Sequence, residues 1–359
     1  MTDEREIVQR KQDHIAVVLS GGGRSPRTTT GLEHVRFEHC ALPEMALSDV
    51  GLSTVFLGRR LSAPLHISSM TGGPRQAGLI NARLAEAAQE VGIALAVGSQ
   101  RVALESNASE GFDRSLRRLA PDVAIYANFG AAQLTLGYTS DHARRAIDMI
   151  EADGLIIHLN PLQEAVQSGG DTNWTGTLSG LERLVRAMPV PIIVKEVGFG
   201  LSASIVRKLA DCGVAAIDVA GCGGTNWALV EAKRTDRPEQ AAVASGFGDW
   251  GIPTAQAISR ARAAVGLPII GSGGIESGVD VAKAIRLGAD LVGLAAKLLP
   301  AAVVSTDAVV VMLRVAIAQL RIVCFCTGSR DLNSLKSAAL LESRAVDGSL
   351  ACAVQQDGS

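Results

Sequence analysis

Short apolar runs alternate with longer segments whose apolar positions recur every three or four residues, from about Leu65 to about Leu299. Eight of the runs read as strands, being short and apolar. They lie at 65–69, 93–98, 123–127, 155–159, 192–197, 216–220, 269–271 and 291–295. Segments 77–91, 142–152, 178–187, 202–212, 254–265 and 277–287 carry the spacing of amphipathic helices. Strands alternating with helices predict parallel βαβ units, and eight such strands predict an α/β fold closed as a (β/α)8 TIM barrel. An open doubly wound sheet would have a Gly-x-Gly-x-x-Gly first turn, which does not follow the first strand. Residues 1–64 read as an N-terminal extension: a charged helix, a mobile Gly-rich loop at 21–31, and a lead-in with a short strand near 55–57. The barrel domain with its C-terminal helices is expected over 65–340, and a flexible tail over 341–359.

A barrel makes a demand on the polar residues. Active sites sit at the strand C-termini, so polar side chains should cluster there. They follow the first strand (Met70-Thr71-Gly72-Gly73), the second (Ser99-Gln100-Arg101), the third (Asn128-Phe129-Gly130) and the seventh (Gly271-Ser272-Gly273-Gly274-Ile275). The fifth ends in Lys195-Glu196 and the sixth in Gly221-Cys222-Gly223-Gly224-Thr225. The fourth is the most polar, reading His158-Leu159-Asn160-Pro161-Leu162-Gln163-Glu164. Alternation along that strand puts Ile156, His158 and Asn160 on one face, Pro161 stops it, and Gln163 and Glu164 follow in the loop. Buried polar groups need partners, so such a stretch either lines a pocket or forms a satisfied structural cluster.

Three sets of residues suggest chemistry. The glycines after the seventh strand, leading into a helix near Ser277, form a phosphate candidate, with the small residues Ala295 and Ala296 as the facing wall. The bland alternative is that these glycines only make a tight turn. Lys195 ends an apolar strand, where a buried ammonium needs an anion or an electron-rich ring. Thr71, Ser99, Asn128 and Thr225 are of the hydrogen-bonding types that read the edges of a flavin. Arg10, Lys11 and Arg101 are a second cationic set. Glu164 is either an Mg2+ ligand beside phosphate oxygens or an ordinary surface carboxylate.

Composition narrows the class. The 359 residues are 47% hydrophobic, and 34 Lys+Arg against 36 Asp+Glu leave a net charge of −2. That balance gives no footprint for nucleic acid or an anionic membrane, so anion binding must be local. Six cysteines make no disulfide framework, Cys324-x-Cys326 has no companion pair for zinc, and reduced thiols in a cytoplasmic protein are expected. The apolar segment 301–326 contains Asp307, Arg314 and Arg321 and reads as a buried helix rather than a membrane span.

Taken together, these motifs resemble the type 2, flavin-dependent isopentenyl-diphosphate isomerases over nearly the whole chain. The resemblance is carried by Arg10-Lys11-x-Asp13-His14-Ile15, Phe37-Glu38-His39-x-Ala41-Leu42-Pro43-Glu44, Met70-Thr71-Gly72-Gly73, Gly98-Ser99-Gln100-Arg101, the stretch His158 to Glu164, Lys195-Glu196-x-Gly198-x-Gly200, Gly223-Gly224-Thr225-x-Trp227 and Gly271 to Ile275. It implies FMN held by Met70, Thr71, Gly72, Ser99, Asn128, Lys195, Thr225, Gly273, Gly274, Ile275, Ala295 and Ala296. It implies isopentenyl diphosphate lined by Arg10, Lys11, Ser99, Gln100, Arg101, His158, Asn160 and Gln163, with Gln163, His158 and Asn160 nearest the chemistry. Glu164 would hold Mg2+ with the diphosphate, NADPH would reduce the flavin, and the assembly would be a homotetramer or homo-octamer. The product would be dimethylallyl diphosphate. The chain departs from the family at Gln167-Ser168-Gly169-Gly170-Asp171, at Ala220 and at Cys324-Phe325-Cys326. Three other readings compete, one of them a nucleotide dehydrogenase with Cys222 as nucleophile, for which no nearby base is visible and whose Gly neighbours suggest a turn. An FMN-dependent 2-hydroxy-acid oxidase needs a strong histidine base after a late strand, and His14, His34, His39, His66, His142 and His158 all precede the fifth. A flavin-binding protein without activity would not need the His158–Glu164 stretch.

Overall fold

The computed structural model describes residues 4–25, 27–70, 75–105 and 111–341. Two short strands, β1 (Thr54–Phe56) and β2 (Arg59–Leu61), form an antiparallel hairpin. Eight further strands, all parallel, close into a barrel: β3 (Leu65–Ile67), β4 (Ala94–Ala96), β5 (Ile125–Gly130), β6 (Gly154–Leu159), β7 (Ile192–Glu196), β8 (Ala216–Asp218), β9 (Ile269–Gly271) and β10 (Leu291–Leu294). They neighbour one another in sequence order, and β10 pairs with β3 to complete the ring.

Period-two alternation divides the core into two compartments. Ala94, Ala96, Ala124, Tyr126, Ile156, Ile193, Ala216, Ile270 and Leu291 point into the barrel and pack on one another. Phe56 and Leu61 join this cluster, so the β1–β2 hairpin plugs the N-terminal end. The intervening positions, such as Leu155, Ile157, Ile192 and Val194, face outward into a larger core beneath the helices. A barrel sealed below by a hairpin leaves the C-terminal mouth as the place for a site.

Several strand ends differ from the sequence expectation. β3 stops at Ile67 and β8 at Asp218, because the residues beyond turn into the mouth. β5 instead runs on through Asn128, Phe129 and Gly130, which pair with Ile156, Ile157 and His158 of β6. Gln163 and Glu164 are not in a loop: Pro161 starts the helix Pro161–Val166 as its first residue, a position where a missing N–H costs nothing.

The helix Glu4–Leu19 packs on the helix Trp227–Arg234. The glycine segment after it is tied down rather than free-standing. Asn226 N–H donates to the Gly23 carbonyl (2.7 Å), Arg24 bridges to Thr225, and a Cβ on Gly23 would meet Val230 Cγ2 at 2.5 Å. The tail expected at 341–359 lies, except for Leu341, outside the described residues. The helix Thr306–Cys326 is long and apolar enough to cross a membrane by length and composition. Here it packs on the helices Arg75–Val91 and Gly278–Arg286, burying Val309, Val310, Leu313, Leu320 and Cys324, while Arg314 pairs with Glu90 at 2.8 Å.

Candidate active site

A cavity opens at the C-terminal mouth, between the barrel strands and the helix Glu4–Leu19. It brings together Arg10, Lys11, Met70, Ser99, Arg101, Asn128, His158, Asn160, Gln163, Glu164 and Lys195 from the expected set. Thr225, Gly273, Gly274, Ile275, Ala295 and Ala296 complete its far wall. Thr71 and Gly72 lie outside the described residues.

One expected residue does not reach the cavity. Gln100 is fully buried; its Nε2 donates to the Ala146 carbonyl (2.9 Å) and its Oε1 accepts from Asn128 N–H (2.9 Å). The amide is therefore spent on the backbone of β5 and of the helix Ser140–Ile150. The Gln100 side chain supports Asn128 rather than lining the cavity.

The polar face of β6 is held in one arrangement. Asn128 Nδ2 donates to Ser69 Oγ (2.7 Å), which leaves Oδ1 to accept from His158 Nδ1 (2.8 Å). Burial, then the charges of Lys195 and Lys11, push the His158 imidazole down to about 3. His158 is thus a neutral ring with its proton on Nδ1. Asn160 Nδ2 reaches both Gln163 Oε1 (3.2 Å) and Glu164 Oε1 (2.9 Å), while its own Oδ1 is buried without a partner.

The sequence reading missed the residue that joins the N-terminal helix to this face. Glu231, on the helix Trp227–Arg234, accepts from His14 Nε2 (2.8 Å), Gln163 Nε2 (3.2 Å) and Arg234 Nε (2.8 Å). Burial alone would raise its pKa, but the hydrogen bond and charge of His14, followed by those of Arg234, bring it to about 2. A carboxylate can only accept, so His14 carries its proton on Nε2. His14 also meets Trp227 edge-on, with ring centroids 5.1 Å apart. The only signal in the sequence was Glu231 three residues before Arg234, which looks like any surface helix pair.

These contacts place the cations of the helix Glu4–Leu19 over the mouth. Arg10 Nε is buried with no partner, and burial depresses the guanidinium against the pull of Glu164 and Glu231. Burial, then neighbouring Arg10, lowers Lys11 to about 8. Among the described residues neither Arg10 nor Lys11 is in a salt bridge, although Glu164 and Glu231 act on both, so the pair is available to a multivalent anion. Arg101, the third expected cation, is already paired with Glu105 (3.0 Å) and Asp171 (2.6 Å). Glu164 is buried rather than a surface carboxylate, and its Oε2 accepts from Asp171 N–H at 2.8 Å. Among the described residues no three His, Cys, Asp or Glu side chains cluster as a metal cage. A metal at Glu164 would have to share its shell with substrate oxygens and water, as Mg2+ does.

The remaining lining, from β7 round to β10, fits a flavin. Lys195 is buried, and its Nζ donates to a main-chain carbonyl, that of Glu196 (2.6 Å). As expected for neighbours on a strand, the Glu196 carboxylate points elsewhere and collects the N–H groups of Val197, Gly198, Phe199 and Gly200 (2.5–3.2 Å). Just after β9, Gly273 has φ +102°, and a Cβ there would meet the Gly221 carbonyl at 2.0 Å. The helix that follows is already capped: its own Asp280 accepts from Glu276 N–H (3.2 Å) and Ser277 N–H (3.1 Å), and Gln319 of the helix Thr306–Cys326 takes Gly278 N–H (2.8 Å). The anion candidate is therefore the glycine turn facing Ala295 and Ala296, not the helix end.

Comparison with known proteins agrees with this architecture. The model of the FMN-dependent dehydrogenase family matches residues 139–342. Among solved structures, a mandelate oxidase with a monooxide FMN adduct superposes with a TM-score of 0.64 at 18% identity, covering 89% of this chain and 94% of that one. A flavocytochrome b2 with pyruvate bound gives 0.66 at 16% identity, covering 91% and 82%. At that identity the likeness is one of fold alone. The chain is thus an FMN-dependent dehydrogenase-type barrel by class. It is 58% identical over 340 residues to the isopentenyl-diphosphate delta-isomerase of Stutzerimonas stutzeri (strain A1501), covering 94% of this chain and 98% of the relative. It is 48% identical over 343 residues to that of Nostoc sp. (strain PCC 7120 / SAG 25.82 / UTEX 2576), covering 95% and 97%. The chain belongs to the isopentenyl-diphosphate delta-isomerase family and is an isomerase of the FMN-dependent, type 2 kind.

Proposed function

We propose that the protein converts isopentenyl diphosphate to dimethylallyl diphosphate, with reduced FMN, NADPH and Mg2+. The observation that carries this reading is the division of the cavity. Arg10 and Lys11, in no salt bridge among the described residues, stand over a neutral polar face of His158, Asn160 and Gln163, and Lys195 follows on the adjacent strand β7, with the small residues at the ends of β9 and β10 completing the lining. Reduced FMN, loaded from NADPH, supplies when bound the electron-rich face and exchangeable proton that move a double bond without net redox change. Met70, Thr71, Gly72, Ser99, Asn128, Lys195 and Thr225 would hold its ring, and Gly273, Gly274, Ile275, Ala295 and Ala296 its phosphate.

The chain's own residues do the rest. Arg10 and Lys11 would bind the diphosphate, and Glu164 would hold Mg2+, which would supply further positive charge to it. The reaction adds a proton at the terminal alkene carbon and removes one from C2, through cation-like character. A neutral His158 does not oppose that charge, and the fixed amides of Asn160 and Gln163 orient the alkene. The helix Glu4–Leu19, lying over the mouth, excludes water. The proposal is tested by supplying the purified protein with FMN, Mg2+, a reductant and isopentenyl diphosphate. Dimethylallyl diphosphate is the expected product, and its absence from a yellow, folded preparation would refute the reading.

The lowered pKa of Lys11 gives this function a pH signature. Its ammonium binds diphosphate below about pH 8 and is lost above it. We expect kcat/KM to fall above that pH, because this ratio reports groups of the free enzyme. Lys11→Arg should move the alkaline limb upward; an unmoved limb would assign it to another group.

We also propose that the protein is a cytoplasmic homo-oligomer. Val311, Val315 and Ile322 on the helix Thr306–Cys326, and Val304 at the end of the short helix before it, are each at least half exposed, an apolar surface suited to a second copy of the chain. Light scattering should return a multiple of the 37.3 kDa chain, and Val315→Lys should reduce it.

A further inference from the structure

Beneath the cavity the barrel interior carries charge. Lys195 on β7 and Asp218 on β8 are register partners on adjacent strands, 7% and 0% exposed. Asp218 Oδ1 accepts from Ser272 Oγ (2.6 Å) and from Ala220 N–H (3.2 Å), but its Oδ2 is buried with no hydrogen-bond partner. The neighbouring carboxylate, Glu196, is taken up by the loop N–H groups of residues 197–200. His66, also fully buried, is pushed down to about 3 by burial and then by Lys195, so it is neutral. A buried ammonium with no counter-charge would lose its proton.

We infer that Asp218 is a positioning residue for Lys195: the two make no salt bridge within 4 Å, and the buried carboxylate supplies from the neighbouring strand the counter-charge that keeps the ammonium in the cavity floor. Its Oδ1 fixes Ala220, a cavity-lining residue held at φ +36°, where a non-glycine backbone is strained. Electrostatics follow the same geometry. Burial lowers the Lys195 pKa, and among the opposing charges Asp218 acts most strongly. Burial raises that of Asp218, and Lys195 opposes it. The inference rests on the proposed placement of FMN against Lys195. A reduced flavin is richer in electrons than an oxidised one, so a cation beside it favours the reduced form, and Asp218 controls that preference from below.

The test is the reduction potential of bound FMN, measured anaerobically against a reference dye. Asp218→Asn should cut the preference for reduced over oxidised FMN tenfold or more, a fall of about 30 mV for a two-electron couple. Lys195→Met should fall by a similar amount, and Lys195→Met/Asp218→Asn should fall no further than Lys195→Met alone. An unchanged or raised potential in Asp218→Asn, with the fall retained in Lys195→Met, would overturn the pairing and leave the flavin placement standing. An unchanged potential in Lys195→Met would sink the flavin placement and the pairing together. If Asp218→Asn does not fold, recovery of folded, FMN-binding protein in the double variant supports charge pairing. Failure of both would mean that Asp218 acts only through Ser272 and Ala220, and would overturn it.

Discussion

Replacing Gln163 by alanine is expected to lower kcat by about two orders of magnitude or more while FMN stays bound, the scale of a lost acid–base or orienting group. Gln163 sits on the first turns of the helix Pro161–Val166, where its amide is clamped at both ends. Asn160 Nδ2 donates to its Oε1, and its Nε2 donates to Glu231. The amide therefore cannot rotate to present the wrong atom to the substrate. The residues proposed for flavin lie on other strand ends, so flavin retention should survive. Steady-state kinetics and the visible spectrum of the variant check this. An unchanged kcat would remove Gln163 from the chemistry.

The second large effect is expected at Glu231. Glu231→Ala should raise KM for the diphosphate at least about tenfold and cost about 3 kcal/mol of stability, the scale for breaking a buried ion pair on one side. The carboxylate holds His14, Gln163 and Arg234 at once, so its loss loosens the helix that carries Arg10 and Lys11. The effect should also depend on pH. The folded-state pKa is about 2 against an ordinary value of 4.5, so the stabilisation is full above about pH 4.5 and disappears as pH falls towards 2. Denaturant midpoints of wild type and Glu231→Gln, compared at neutral and acid pH, should converge on acidification. A difference that stays constant with pH would show that packing, not charge, accounts for Glu231.

What could be read from the chain was what is local. Eight apolar runs spaced by amphipathic helices specify a closed barrel, because period-two and 3.6-residue patterns are written residue by residue. The polar residues at successive strand ends converge for the same reason, since parallel strands put all their C-termini on one face. What could not be read was set by distant partners. Glu231 is 217 residues from His14 and 68 from Gln163, and nothing near it in sequence announces either. Asp218 looks like the polar end of an ordinary strand until Lys195 is set beside it in register. Gln100 stands in a motif between two cavity-lining residues, Ser99 and Arg101, yet turns inward to satisfy backbone groups. Motif membership fixed its place in the chain but not its direction.

The proposed chemistry moves protons without consuming reducing equivalents, and a count tests this most directly. The purified protein is incubated without oxygen with FMN, Mg2+, excess isopentenyl diphosphate and a limiting amount of NADPH. Many molecules of dimethylallyl diphosphate should form for each NADPH oxidised. One product per NADPH, or no product from a flavin-loaded and reduced preparation, would contradict the account.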